Sequence, residues 1–123
     1  NGIFMDPGYI FQLRAYQMRF FGGIAYVRQV VADDYTILKT DYLIGVATNL
    51  TNSALTLTLP GAATCVNGQT FMIKDEGGVA HTYPVTIVCS GSDLIDGQNK
   101  VVLESPYSAI QLYCNGTSKY FIC

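Results

Sequence analysis

The acidic side chains and the single histidine are the residues of this chain whose chemistry could support catalysis. Paired carboxylates occur at Asp33-Asp34, Asp75-Glu76 and Asp93 with Asp96, and glycosidases place two such acids across the bond that they cleave. All three pairs lie at predicted turns or strand starts, where Asp is favoured because it bonds nearby backbone groups. His81 lies in a predicted loop, and no serine occupies a G-x-S-x-G nucleophile elbow. We therefore predict that the protein is not an enzyme and has no catalytic residue.

Metal and cofactor sites are also not predicted. The cysteines Cys65, Cys89, Cys114 and Cys123 form no C-x-x-C pair, so a zinc site would need ligands scattered along the chain. The acid pairs lack the dense Asp/Asn/Gly spacing of a calcium loop, and no glycine loop followed by lysine is present to cradle a phosphate. Four cysteines permit three disulfide pairings; the favoured interpretation is buried free thiols in strands, where cysteine behaves as a small hydrophobe.

Charge and hydropathy exclude two classes of partner. The net charge is −2 and the pI is near 5, whereas nucleic-acid-binding domains usually carry a basic patch. No stretch approaches the roughly 20 continuous apolar residues of a transmembrane helix. We therefore predict no nucleic acid partner and no membrane insertion. The charge is divided unevenly, with +2 over residues 1–31 and −4 over residues 32–123, which indicates two parts with different surroundings.

The larger part reads as short β-strands separated by Gly, Asn and Asp turns. The stretch "SALTLTLP" alternates strictly, with three leucines on one face and two threonines on the other, as in a half-buried strand. Asn67-Gly68, Asp96-Gly97 and Asn115-Gly116 are turn sequences. Turns at intervals of about ten residues are typical of a sandwich or barrel. We predict an all-β fold, a compact antiparallel β-sandwich or barrel-like domain over residues 22–123, closed by a hairpin around Asn115-Gly116.

The first 21 residues form a short apolar N-terminal segment of different character. Neither a helical nor a strand period dominates it, and Gly22-Gly23 separates it from "IAYVRQVV", a predicted strand. A segment with so many aromatics would bury them against another chain or, as an alternative, against its own domain. The candidate docking or assembly residues are Tyr9, Phe11, Leu13, Tyr16, Met18, Phe20 and Phe21.

Recognition residues are predicted on the loops. The turns Asp75–His81 and Gly91–Asn99 are candidates because loops on a rigid sheet commonly carry binding. Tyr83 and Tyr107 stand beside prolines, which favours surface positions, and exposed tyrosine suits sugar or protein recognition. The candidate receptor-binding residues are Asp75, Glu76, His81, Tyr83 and Tyr107.

Six segments of the predicted strands and turns follow one another in a recognisable order. They are Tyr35–Ile37, Asp41–Ile44, Thr56–Pro60, Gly68–Asp75, Leu94–Gly97 and Tyr113–Ile122. This ordered set resembles a β-domain of bacteriophage tail fibres, tailspikes and related virion appendage proteins. The pattern covers residues 22–123, and Tyr120 stands where that family often has Trp. Residues 1–21 have no counterpart in it.

This resemblance implies a non-enzymatic structural protein of a phage virion, in the tail or another external appendage. It implies a homotrimer that contributes to attachment to a glycan or protein of the host surface, with the N-terminal segment docked on its symmetry mates or on other virion proteins. Two alternatives remain open at this point. One is a capsid-decorating or connecting virion protein without receptor contact, and the other is a carbohydrate-binding module of a bacterial protein.

Overall fold

The computed structural model describes residues 12–123, and its regular structure is almost entirely β, which confirms the all-β class. Tyr9 and Phe11 lie outside the described residues. Two short 3-10 turns cover Thr48–Leu50 and Ala62–Thr64. The ten strands are β1 (Arg28–Val31), β2 (Tyr35–Thr36), β3 (Leu43–Val46), β4 (Leu55–Thr58), β5 (Thr70–Asp75), β6 (Val85–Val88), β7 (Leu94–Ile95), β8 (Lys100–Leu103), β9 (Ala109–Cys114) and β10 (Lys119–Ile122).

The strands form two sheets. The larger sheet has the order β1-β3-β5-β9-β10-β7, and the smaller sheet has the order β2-β4-β6-β8. From β1 to β6, successive strands alternate between the sheets, so that each pass adds a strand parallel to its predecessor in the same sheet. The pairing then becomes antiparallel where β8 joins β6 and where β9 joins β5. Strands β1 to β6 therefore form two sets of parallel strands, one in each sheet, and β8 and β9 each add an antiparallel strand to one of these sets.

The predicted antiparallel pairing is wrong for most of the domain, since five of the eight strand pairs are parallel. The error arises from the turns. Asn67-Gly68 does adopt a turn, with φ of +87° at Gly68, but it connects β4 and β5, which belong to different sheets. A turn sequence fixes local backbone conformation and leaves the partner of the next strand undecided. Within the described residues neither sheet closes into a barrel.

The predicted C-terminal hairpin is confirmed. Strands β9 and β10 pair antiparallel, with Ile122 opposite Leu112. The turn between them is fixed by Asn115, whose Oδ1 accepts backbone N–H bonds from Thr117, Ser118 and Lys119 at 2.9–3.0 Å. Because β10 lies between β9 and β7, this last strand has a partner on both sides and does not fray as a free edge would.

Buried side chains from both sheets form one hydrophobic cluster. The predicted inward face of Leu55, Leu57 and Leu59 is confirmed. Tyr120 is fully buried at the position where the resembling family often has Trp, with its ring centroid 6.2 Å from that of Phe71. Its hydroxyl donates to the carbonyl of Pro60. Burial of this phenol raises the pKa of Tyr120 far above the ordinary value, so Tyr120 remains a neutral core residue.

The cysteines are free thiols in three different environments. Cys114 is buried in β9, as predicted, and Cys65 is buried just after the second 3-10 turn. Cys123 is exposed, contrary to the prediction of buried thiols in strands. Burial raises the pKa of Cys89 to about 11, so this thiol is protonated at neutral pH and is a poor nucleophile.

Candidate functional site

The strand directions gather four connections at one end of the domain. Because β1, β3 and β5 are parallel to one another, and β2, β4 and β6 likewise, every passage from the larger to the smaller sheet occurs at the same end. The return from β8 to β9 lies there as well, since both strands run against their neighbours. We call this the loop end, and it consists of residues 32–34, 47–54, 76–84 and 104–108.

Asp75 organises the loop end from within. This residue is fully buried. Its Oδ1 accepts the N–H of Gly78 at 3.1 Å, and its Oδ2 accepts the N–H groups of Ala80 and Tyr107 at 3.0 Å each. One carboxylate therefore ties two connections to the end of β5. Although Asp75 was selected as a candidate receptor-binding residue, the structure places it beneath the surface and assigns it to the scaffold.

Glu76 lies on the outer face of the larger sheet and forms an ion pair. Both of its oxygens accept bonds from the guanidinium of Arg28 at 2.8 Å. A Cβ at Gly45 would stand 2.2 Å from the Glu76 carboxylate, so the glycine leaves the space in which the pair lies. The paired guanidinium lowers the pKa of Glu76 and is itself held charged. The pair connects the first residue of β1 to the loop end.

Tyr107 is the exposed aromatic residue of the loop end. It has a positive φ of +60°, an uncommon conformation for a bulky side chain, and 59% of its surface is exposed. Its backbone carbonyl accepts a bond from the ammonium of Lys74, whose Nζ also lies 5.7 Å from the ring centroid. A Cβ at Gly78 would meet the Tyr107 ring at 2.4 Å. Hydrogen bonds therefore hold the backbone of Tyr107, and its exposed ring lies over Gly78 and near the Lys74 ammonium.

The remaining candidates fall into two groups. His81 is exposed and Tyr83 half-buried in the connection from β5 to β6, so both belong to the same end of the domain as Glu76 and Tyr107. The Gly91–Asn99 turns lie at the opposite end of the domain, because they follow β6 and precede β8. The two predicted recognition loops are therefore not neighbours and cannot form one binding surface on a single chain.

Residues 12–27, which we call the arm, contain the remaining predicted assembly residues. The arm has no regular secondary structure, and all of its residues are exposed. It contacts the domain where the Tyr26 ring packs on Tyr42 at 4.3 Å between centroids. The first strand begins at Arg28, so residues 22–27 also lie outside the sheets. Among the described residues, the large apolar side chains exposed in the arm are Leu13, Tyr16, Met18, Phe20, Phe21, Ile24, Tyr26 and Val27.

A shallow cleft on the smaller sheet was not foreseen from the sequence. It has a volume of about 180 Å³ and is lined by Asp34, Tyr35, Thr36, Thr56 and Thr58. The alternation of "LTLT" does predict that the threonines face outward. It does not predict that β2, more than 15 residues earlier in the chain, pairs with β4 and completes the cleft.

The described residues hold no group of three or more His, Cys, Asp or Glu side chains arranged to bind a metal ion. No helix within residues 12–123 has the length and apolar character needed to cross a membrane. Comparison with protein-family models and with curated proteins gives no match for this chain.

Proposed function

We propose that this chain is a structural protein of a phage virion, a tail-fibre-like domain that assembles as a homotrimer and contributes to host-surface attachment. In this proposal the two sheets pack face to face as a sandwich, which the single hydrophobic cluster fed by both sheets supports. The arm is the assembly element, and the domain presents its loops for recognition.

The exposed arm is the observation that carries the proposal. Monomeric soluble proteins rarely leave large contiguous apolar surfaces in water, and those that do use them for binding. Here the β-domain already buries a complete core without any help from residues 12–27. The aromatic residues of the arm are therefore available for contacts between chains, and assembly around a symmetry axis would bury them.

Attachment is supported by the construction of the loop end. Asp75 fixes the loops by three backbone bonds, and the Tyr107 ring is held exposed above Gly78. Preorganised loops with an exposed tyrosine suit recognition, because little conformational entropy is lost when they bind. The resemblance of the strand motifs to tail-fibre domains supports a host-surface glycan or protein as the ligand.

A second candidate is a decorating or connecting virion protein without receptor contact, and the same arm favours it if its partner is another virion protein. Competition for phage adsorption separates the two. Purified protein in excess should slow adsorption of the parent phage to its host if the loop end attaches to the cell. Detection of the protein in purified virions, with no binding to cells and no competition, would reject attachment and leave the second candidate. Absence from virions would reject both.

A further inference from the structure

We propose that the cleft formed by Asp34, Tyr35, Thr36, Thr56 and Thr58 binds a neutral saccharide unit. The proposal rests on the attachment function proposed above and names the chemical class of its ligand. The cleft lies on the smaller sheet, where β2 pairs parallel with β4 and Thr36 stands beside Thr58. It is distinct from the receptor-binding residues that the sequence indicated.

The threonines present a regular set of hydroxyl groups. In β4 the leucines face the core and are buried, so Thr56 and Thr58 face outward. Neighbouring strands lie about 4.8 Å apart and alternate residues about 6.7 Å apart, which spaces the three hydroxyls over the size of one sugar ring. Among the described residues, no protein partner bonds the hydroxyls of Thr36, Thr56 or Thr58, and they are not buried. These hydroxyls can therefore donate to and accept from a ligand.

Asp34 supplies a charged acceptor at one side of the cleft. Its Oδ1 accepts the N–H of Thr56 at 2.7 Å, which fixes the carboxylate in place. A carboxylate retains further acceptor capacity on both oxygens, and bonds from a sugar hydroxyl to an ionised acceptor are stronger than neutral ones. Asp33 is exposed next to it. Two adjacent carboxylates repel anions, so the site favours a neutral sugar over a sialic acid or a phosphate.

The cleft is rigid and small. Tyr35 donates a 2.6 Å hydrogen bond to Oδ2 of Asp41, and the backbone of Ile37 bonds to Thr58 beyond the end of β2. The volume of about 180 Å³ is below the range of about 300–1,000 Å³ that drug-sized ligands occupy. One monosaccharide unit of a longer glycan fits these dimensions, and a Kd of about 1–10 mM is expected for a single hexose.

The test is a methyl NMR titration of the full chain, labelled at threonine, with glucose, galactose, mannose and N-acetylneuraminic acid as probes. Saturable shifts at Thr36, Thr56 and Thr58 with at least one neutral hexose are expected. Thr117, exposed in the turn between β9 and β10 and outside the cleft, serves as the internal control. No shift with any neutral hexose, equal shifts at Thr117, or tighter binding of the acidic sugar would overturn the proposal.

Two variants sharpen the test. Thr58→Val removes a hydroxyl and keeps the shape of the side chain, and it should raise the Kd about fivefold. Asp34→Asn keeps an oxygen for the Thr56 N–H but removes the charge, and it should raise the Kd at least ~10-fold. Thr117→Val is the matched control and should leave the Kd unchanged, because Thr117 is exposed in the turn between β9 and β10. A Thr58→Val protein that binds hexose as the wild type does would contradict the site.

Failure of this site and failure of the proposed function give different results. Protein that slows phage adsorption but shows no hexose shifts at the cleft overturns the saccharide site and leaves attachment standing. Protein that binds hexose at the cleft, with Thr58→Val weakening it, but does not slow adsorption, supports the site and rejects host attachment.

Discussion

The apolar residues of the arm are exposed to solvent, whereas many of those in the β-domain are buried. In the domain, residues such as Ile73, Leu57 and Tyr120 are fully buried. In the arm, Phe21 is 87% exposed and the neighbouring apolar residues are exposed too. The two regions also differ in charge, with two arginines and no acid in the arm against a net of −4 over residues 32–123. Apolar residues therefore build the core in the domain but stay exposed in the arm, where we propose that they form contacts between chains.

The variants Ile73→Ala and Phe20→Ala should show the largest difference in the free energy of unfolding. Ile73 lies in β5 with no exposed surface, so its truncation leaves a cavity and should lower the free energy of unfolding by about 2–5 kcal/mol. Phe20 is 61% exposed, and its truncation should change that free energy by less than about 0.5 kcal/mol. Denaturant unfolding of dilute protein, where assembly contributes least, measures both. Similar losses in the two variants would show that the arm is part of the folding unit.

Replacing the buried carboxylate of Asp75 should cause the next-largest loss of stability. Asp75→Ala leaves the N–H groups of Gly78, Ala80 and Tyr107 without their acceptor, at a cost of about 2–4 kcal/mol. Asp75→Asn retains one acceptor oxygen and should lose less. Thermal unfolding of both variants gives the comparison. Wild-type stability in Asp75→Ala would mean that these bonds do not hold the loops, and the scaffold role of Asp75 would be rejected.

Alanine variants at two glycines with positive φ, Gly91 and Gly78, distinguish the cost of backbone strain from the cost of side-chain crowding. Gly91 has φ of +58° and open space around it, whereas Gly78 has φ of +72° and lies so close to the Tyr107 ring that a Cβ would collide with it. Gly91→Ala should cost about 1 kcal/mol from strain alone. Gly78→Ala should cost more and should also release the Tyr107 ring, detected as a change in tyrosine fluorescence. Equal losses without a fluorescence change would contradict the packing of Tyr107 over Gly78.

The smallest effect is a pH dependence. The hydrogen bond from Tyr35 to Asp41 and, to a smaller extent, the burial of the phenol raise the pKa of Tyr35 from its ordinary value of 10 to about 12. A pKa raised by folding stabilises the protein below the unfolded value, and this stabilisation is lost as the pH rises from 10 to 12. Tyr35→Phe should therefore show a shallower loss of stability over that window than the wild type. Identical slopes in urea unfolding between pH 10 and 12 would contradict the Tyr35–Asp41 bond.

The sequence predicted the local features of the domain better than its topology. Alternation identified the inward face of Leu55, Leu57 and Leu59 because side chains in a strand alternate regardless of the partner. The Asn115-Gly116 hairpin was predictable because its strands are adjacent in sequence. The parallel pairing of β3 with β5 connects residues almost 30 positions apart, and nothing in the intervening turns encodes it.

The candidate site was predicted in part, for a related reason. Loop positions such as His81 and Tyr107 were identified from turn chemistry and adjacent prolines. The burial of Asp75 was missed because an Asp at a turn can equally face solvent or bond backbone N–H groups from inside. The cleft at Asp34 and Thr58 was missed since it depends on a long-range parallel pair. Both outcomes depend on tertiary contacts that local sequence does not report.

The solution mass of the full chain tests the central claim most directly. Light scattering over a range of concentrations should give a trimer for the wild type. The double variant Phe20→Ser with Phe21→Ser should give a monomer with an unchanged domain melting temperature, because these rings lie outside the core. A wild-type monomer at every concentration, or a double variant that remains trimeric, would contradict the assignment of assembly to the arm.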